Sequence, residues 1–239
     1  MTFDRGQRRP MRGYAALFFG LFAGAALCAV TGTQPRDEPE VARVARQTLS
    51  GEDLYHGAAQ PRAPTHALRL SLAYFPDAGW SAEAVMDAAR TAATILGQCG
   101  IIVSALELNQ LAGTERYRYY YTPVARELAR LVPLSRPTVY FVADTLQRPA
   151  FDAEAIGRGN SGMRPELADT VWVTRTTRDL GIALAHELAH VLMDSGDHVE
   201  EPNNLMRADT SAENTRLNAT QCTQLRDTAT GNGLLQKTQ

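Results

Sequence analysis

Cysteine is scarce in this chain: 239 residues contain three, Cys28, Cys99 and Cys222. None has a partner at CxxC spacing, so the arrangement by which sulfur holds structural zinc is missing. Neither sign of charge is in excess. Lys and Arg total 24 against 26 Asp and Glu, a net charge of -2, which leaves no electrostatic footprint for nucleic acid as a partner. Aromatic residues gather once, as Tyr117, Tyr119, Tyr120 and Tyr121 interleaved with Arg116 and Arg118. Without a positive surplus, that stretch reads as an amphipathic edge strand or the lead into a helix rather than as a base-stacking platform. Internal repeats and low-complexity tracts are absent. The glycine-rich run 157–162 does not fit G-x-G-x-x-G and is followed by no Gly-Lys-Ser/Thr, so it makes neither a dinucleotide nor a phosphate loop. Ser161 within it lacks the second glycine of a G-x-S-x-G elbow, because Met163 stands there. A flexible loop at the edge of a cleft is the better reading.

Long apolar runs are also rare. One stands near the start, at 14–30, uncharged and preceded by Arg5, Arg8, Arg9 and Arg12. Basic start, apolar middle and small residues such as Ala29, Thr31 and Gly32 make the layout of an export signal over residues 1–31. The run is short beside the roughly 20 apolar residues of a spanning helix, and an uncleaved membrane tether through 14–30 is the alternative. Cys28 raises a lipoprotein site, against which stands bulky Leu27; Arg8-Arg9 raises a twin-arginine signal, which Pro10 and Met11 fit poorly. The expected location is secreted or periplasmic. Without the signal, two distant cysteines remain, and an exported chain with such a pair is expected to join Cys99 to Cys222. Two buried thiols are the alternative.

What is present is an ordinary globular composition, 44% hydrophobic and 21% charged, enough to bury one good core. Residues 32–64 are rich in Pro, Arg, Asp and Glu, with a weak helical pattern at Val41, Val44 and Leu49, and read as a linker or loosely packed extension. His56 and His66 read as surface residues. The folded domain is placed at 65–239. Strand 67–75 alternates, Ser81 caps a helix over Ala82–Leu96, and a second strand covers 101–108. A helix follows over Thr122–Leu131 with Pro123 in its first turn, then strands at 138–143 and 171–174 and a last helix at 219–228.

The remaining segment carries the chemistry. His186-Glu187-Leu188-Ala189-His190 lies in an apolar, helix-compatible stretch, with Thr177 read as its N-cap and Asp179 in its first turn. Residues four apart share a helix face, so both imidazoles point at one centre. Neutral imidazole binds zinc at about 2.0–2.1 Å, and a glutamate beside the first ligand is placed to take a proton from water. The pentapeptide alone arises by chance often enough to mislead. Here three of the chain's five histidines fall between 186 and 198, a clustering that core histidines have no reason to show.

His186, Glu187, His190, the turn at Gly196, His198 and then Asn203-Asn204-Leu205-Met206 resemble the metzincin clan of zinc metallopeptidases, H-E-x-x-H-x-x-G-x-x-H followed by a methionine turn. The resemblance implies a Zn2+ site of His186, His190 and His198, Glu187 as general base, Met206 beneath the metal, and a protein or peptide substrate. It also implies an α/β (α+β) domain: a mixed twisted sheet, the active-site helix and a small C-terminal subdomain. The chain departs from the pattern, since its third histidine follows the second by eight residues rather than six. One extra helical turn closed by a left-handed residue at Gly196 accounts for that. Asp194, Asp197 or a downstream glutamate, Glu213 before Glu200 or Glu201, are the alternative third ligands. A non-catalytic, zinc-stabilised, membrane-tethered binding protein is the rival reading, in which Glu187 has no task.

Overall fold

Residues 40–55 and 63–238 are described by a computed structural model of the chain. The export signal or tether at 1–31, and His56, lie outside the described residues. In chain order the elements are β1 (Val41–Ser50), α1 (Gly51–Leu54), β2 (His66–Tyr74), α2 (Ala82–Leu96), β3 (Ile101–Gly113), β4 (Tyr119–Tyr120), α3 (Thr122–Leu131), β5 (Thr138–Phe141), β6 (Asp144–Thr145), β7 (Ala153–Ile156), β8 (Thr170–Val173), α4 (Leu180–Met193), α5 (Ala219–Gly231) and β9 (Leu235–Lys237).

Side-chain alternation in the central strands sorts the interior into two layers. Leu68, Leu70 and Leu72 of β2, Val139 and Phe141 of β5, and Val171 and Val173 of β8 face a core shared with α2, α4 and α5. The intervening Ala73, Tyr140 and Trp172 face the opposite side, where Tyr117, Tyr120 and the α3 residues Ala125 and Leu128 cover them. Tyr140 stacks on Trp172 with ring centroids 4.3 Å apart. Helices therefore flank a mixed sheet of order β1-β3-β2-β5-β8-β7. Its centre, β3-β2-β5-β8, is parallel, and both outer strands run antiparallel to their neighbours. Central strands buried on both faces are what parallel sheets require. The mixed α/β architecture expected from the sequence is present.

Three expectations are corrected. Part of the supposed linker is β1, paired with β3 from Val41↔Gly113 to Ser50↔Ala105 and followed by the helical turn α1 under a Ser50–Asp53 capping box. Most β1 side chains are exposed, so no inward face marked it as a strand; its backbone pairing to the long β3 holds it in place. His66 is not a surface residue. β9 pairs with the start of β2, His66 opposite Lys237, and leaves the histidine 9% exposed. The helix holding the HExxH segment begins at Leu180, capped by the backbone of Asp179 in the left-handed conformation (φ 45°), with no side-chain cap. Thr177 instead spends its hydroxyl on the Asp152 carbonyl (2.6 Å), and Thr176 bonds the Asp152 carboxylate (2.7 Å). These bonds fasten the approach to α4 onto the approach to β7.

Helix α4 is apolar on nearly every side, as a helix in the interior must be. It lies against α2 so closely that a Cβ on Gly181 would overlap the Thr91 side chain, so glycine sets that separation. Cys99, just past α2, is bonded to Cys222 in α5, with Cα atoms 4.9 Å apart across 123 residues of sequence. This is the pairing expected from the sequence. The bridge suits an oxidising compartment, and no described helix is long and apolar enough to cross a membrane. In the chain-entropy picture, closing a loop of this length contributes about 3–5 kcal/mol. Reduction is therefore expected to lower the stability read from urea unfolding by about that amount, and Cys99→Ser to do the same without reductant.

Candidate metal centre and cleft

Helix α4 brings His186 and His190 to one face, both at most 8% exposed. Each ring is aimed by a carbonyl. His186 Nδ1 donates to Leu205 O (2.7 Å) and His190 Nδ1 donates to Ser195 O (2.6 Å). A carbonyl only accepts, so the proton sits on Nδ1 in both rings. Burial pushes both imidazoles below their usual range, His190 to about 4, where the nearby His186 adds to the effect. Both are neutral at pH 7, and each Nε2 then presents a bare lone pair. His190 Nε2 nevertheless lies 2.9 Å from His186 Nε2 and 3.2 Å from His198 Nε2. Facing lone pairs repel, so the cluster is shaped for a cation between them. Nitrogens about 2.0–2.1 Å from a tetrahedral zinc are about 3.3–3.4 Å apart, close to the separations found. The donor set fits a metal ion.

His198 is exposed and returns to the centre by a route other than the one expected. The left-handed residue that ends α4 is Asp194 (φ 47°, ψ 44°), not Gly196. Asp194 N bonds Val191 O and Ser195 N bonds His190 O, both at 3.2 Å, the paired bonds of a Schellman closure. Asp tolerates this conformation better than most side chains, and the nearer glycine concealed it. The helix therefore gains less length than the extra turn required, and the hairpin 194–197 absorbs the rest. Ser195 Oγ bonds Asp197 Oδ2 (2.9 Å), and Asp197 N bonds Ser195 Oγ (3.1 Å), tightening that hairpin ahead of His198.

Among the described residues, His186, His190 and His198 are the group whose ligand atoms lie within 4.8 Å of one another, and no carboxylate joins them. Asp194 Oδ1 accepts from Gly159 N and Asp197 Oδ2 accepts from Ser195 Oγ. Glu201 accepts from Asn204 and Asn218, Glu200 sits 3.8 Å from Arg207, and Glu213 lines a separate hollow with Pro202 and Asn214. Leu205, which aims His186, and Met206 are both buried, and Asn204 Oδ1 holds Met206 N at 2.8 Å.

The cluster opens on a cleft of about 960 Å3. Its floor is α4 with His186, Glu187 and His190; one wall is β7 and the glycine loop after it; the rest of the lining is Ser195, Gly196, His198 and residues 208–210. Glu187 points into this cleft. Burial pushes its carboxyl up to about 8, reinforced by the Glu154 carboxylate and eased by the backbone N–H of Ala155. Glu154, raised in turn by burial, has Arg164 3.6 Å away. Strand β7 is the part of the site that sequence reasoning missed. Three of its four residues are half-buried, Ile156 is fully buried, and the strand pairs only with β8 among the described residues, too short for alternation to register.

The glycine loop is not the free segment expected. Arg158 bonds Asp169 (2.9 Å) and Asn232 O (2.6 Å), and Gly159 N bonds Asp194 Oδ1 (2.8 Å). Ser161 is buried with its hydroxyl on Arg158 O, which suits a structural residue and not a nucleophile. Tyr117 and Tyr120 are buried in the second core layer, and Tyr119–Tyr120 form β4 directly ahead of α3.

No protein-family profile matches the chain, and no curated protein does. Among solved structures it is similar to metalloproteinase-II from Bacteroides fragilis, at 17% identity and a TM-score of 0.48 over 71% of this chain. The match takes in 55% of that protein, so this chain spans about half its length.

If the three imidazoles share one ion, each contributes a large part of its affinity. His198→Ala, the exposed member, is expected to weaken zinc binding about 100-fold or more in a competitive chelator titration while leaving the fold intact. Asp197→Ala is expected to change it far less.

Proposed function

We propose that the chain is a zinc-dependent peptidase, with His186, His190 and His198 holding the ion and Glu187 acting as general base. The observation that carries this reading is the convergence of three imidazole nitrogens at the floor of a cleft, with one carboxylate beside them that is not part of the cluster. Zinc held there supplies Lewis-acid chemistry, polarising a carbonyl and acidifying water. Glu187 takes the proton from the attacking water and passes it to the leaving amine. Burial raises its carboxyl, so it holds the transferred proton well once it has it, while a cation held by the neighbouring imidazoles would oppose that rise and keep the group ionised to accept the proton. Two closed ligand positions on a rigid helix and a third on a hairpin leave the open side that a catalytic centre needs.

The substrate side of the cleft is also built for a peptide. β7 is an edge strand whose Ala153, Glu154 and Ala155 line the cleft, and an extended chain laid along such an edge is bound through its backbone whatever its side chains. Met206, next in the chain to the carbonyl that aims His186, is buried in the core, and its role in this reading is a soft apolar support for the ligands. The disulfide agrees with an exported protein, secreted or periplasmic, carried or tethered by residues 1–31.

Glu187→Gln tests the reading because it keeps the shape and removes the base. Cleavage of a mixed peptide library by the zinc-loaded chain is expected to fall about 10²–10⁴-fold while bound zinc per chain is unchanged. Equal cleavage by the two forms would refute the assignment of Glu187. A wild type that binds zinc and cleaves nothing would favour the binding-protein reading.

A further inference from the structure

Asp194 occupies its position against local preference. It is a non-glycine residue in the left-handed region, where glycine or asparagine closes a helix more comfortably. It also places a carboxylate at the negative end of the α4 dipole, where a neutral or cationic group is favoured. A residue kept in the face of both costs points to a use elsewhere.

The use visible in the structure is a latch. Asp194 Oδ1 accepts from Gly159 N at 2.8 Å. The glycine loop closes on the carboxylate so tightly that a Cβ on Gly157 would stand 2.5 Å from Oδ1, and one on Gly159 3.4 Å. Glycine at 157 is what permits the approach. The rear of the same loop is anchored independently, by Arg158 on Asp169 and on the Asn232 carbonyl. Gly157, Gly159 and Asn160 line the cleft together with Asp194. One carboxylate thus joins the end of the helix that carries two imidazoles to the loop that continues the edge strand.

We propose that Asp194 is a specificity-determining positioning residue, which holds segment 157–160 as the wall that meets one end of an extended peptide substrate. This rests on the peptidase reading above. Asp194 acts through Gly159 and touches no reacting atom. Losing the latch should loosen one side of the cleft without disturbing the metal cluster, so its signature is a change in substrate binding and not in turnover.

Two variants separate the latch from the fold. Asp194→Gly removes the carboxylate and installs the residue that a left-handed helix end prefers, so the closure of α4 survives. Asp194→Asn keeps an accepting oxygen in the same place. With zinc-loaded full chains and fluorogenic peptides extending on both sides of the cleaved bond, D194G is expected to raise KM about ten-fold with kcat within about two-fold. D194N is expected to stay near the parent in both. Peptides shortened on the side that meets the loop should not distinguish D194G from the parent. Amide exchange at Gly159 should quicken about ten-fold or more in D194G alone. An unchanged KM in D194G, a rise shared equally by D194N, or a loss confined to kcat would overturn the proposal. Unchanged exchange at Gly159 in D194G would sink the latch alone, whereas a parent chain that cleaves no peptide would sink the peptidase reading and this substrate role with it.

Discussion

Two hydrogen bonds from imidazole to main chain govern the centre. Leu205 and Ser195 offer carbonyls that only accept, so they dictate the tautomer of His186 and His190 and turn both Nε2 lone pairs inward. The cost of that arrangement is the repulsion of unshielded nitrogens 2.9 Å apart, which a bound cation relieves. The carbonyls come from different places. Ser195 belongs to the closure of α4 itself, while Leu205 belongs to the segment beyond His198. One imidazole is therefore aimed by the helix and the other by tertiary structure.

The rest of the fold serves to keep those carbonyls and rings still. Helix α4 lies between the sheet, α2 and α5, with Leu184, Leu188, Val191 and Leu192 all fully buried. Gly181 allows α2 to approach its first turn, and the Cys99–Cys222 bridge ties α5 to the end of α2. The helix has no freedom to slide or rotate without opening this core, since interiors packed at crystal-like density do not deform gradually. β7, by contrast, hangs on the sheet by one neighbour and is held at its ends by Thr176, Thr177 and Arg158. Floor and wall are thus stabilised by different means: one by burial, the other by a few polar ties.

What the sequence disclosed follows the same division. His186, Glu187 and His190 were legible because four-residue spacing on a helix is a local property that needs no knowledge of the fold. His198 was approachable through the uneven distribution of five histidines. The central strands and α2, α3 and α5 were legible because burial imprints alternation or helical periodicity on them. β1, β7 and β9 were not. They are edge or short strands, held by backbone bonds to other segments, and such bonds leave no mark on side-chain choice. Asp194 was missed for a related reason: Gly196 looked like the turn residue, and only the dihedral angles show that an aspartate took the strained place. His66 read as a surface residue because the strand that covers it lies some 170 positions later.

A cleft floor that doubles as the hydrophobic interior has an evolutionary consequence. Substitutions there are filtered by folding before they are filtered by chemistry, so the ion-binding geometry inherits the conservatism of a core. The rim carries less of that burden: Arg158, Gly159, Asn160, Ala208 and Asp209 are exposed, although Gly157 and Ser161 between them are buried. Substitutions confined to the exposed rim are therefore expected to leave the geometry of the imidazole cluster as it is.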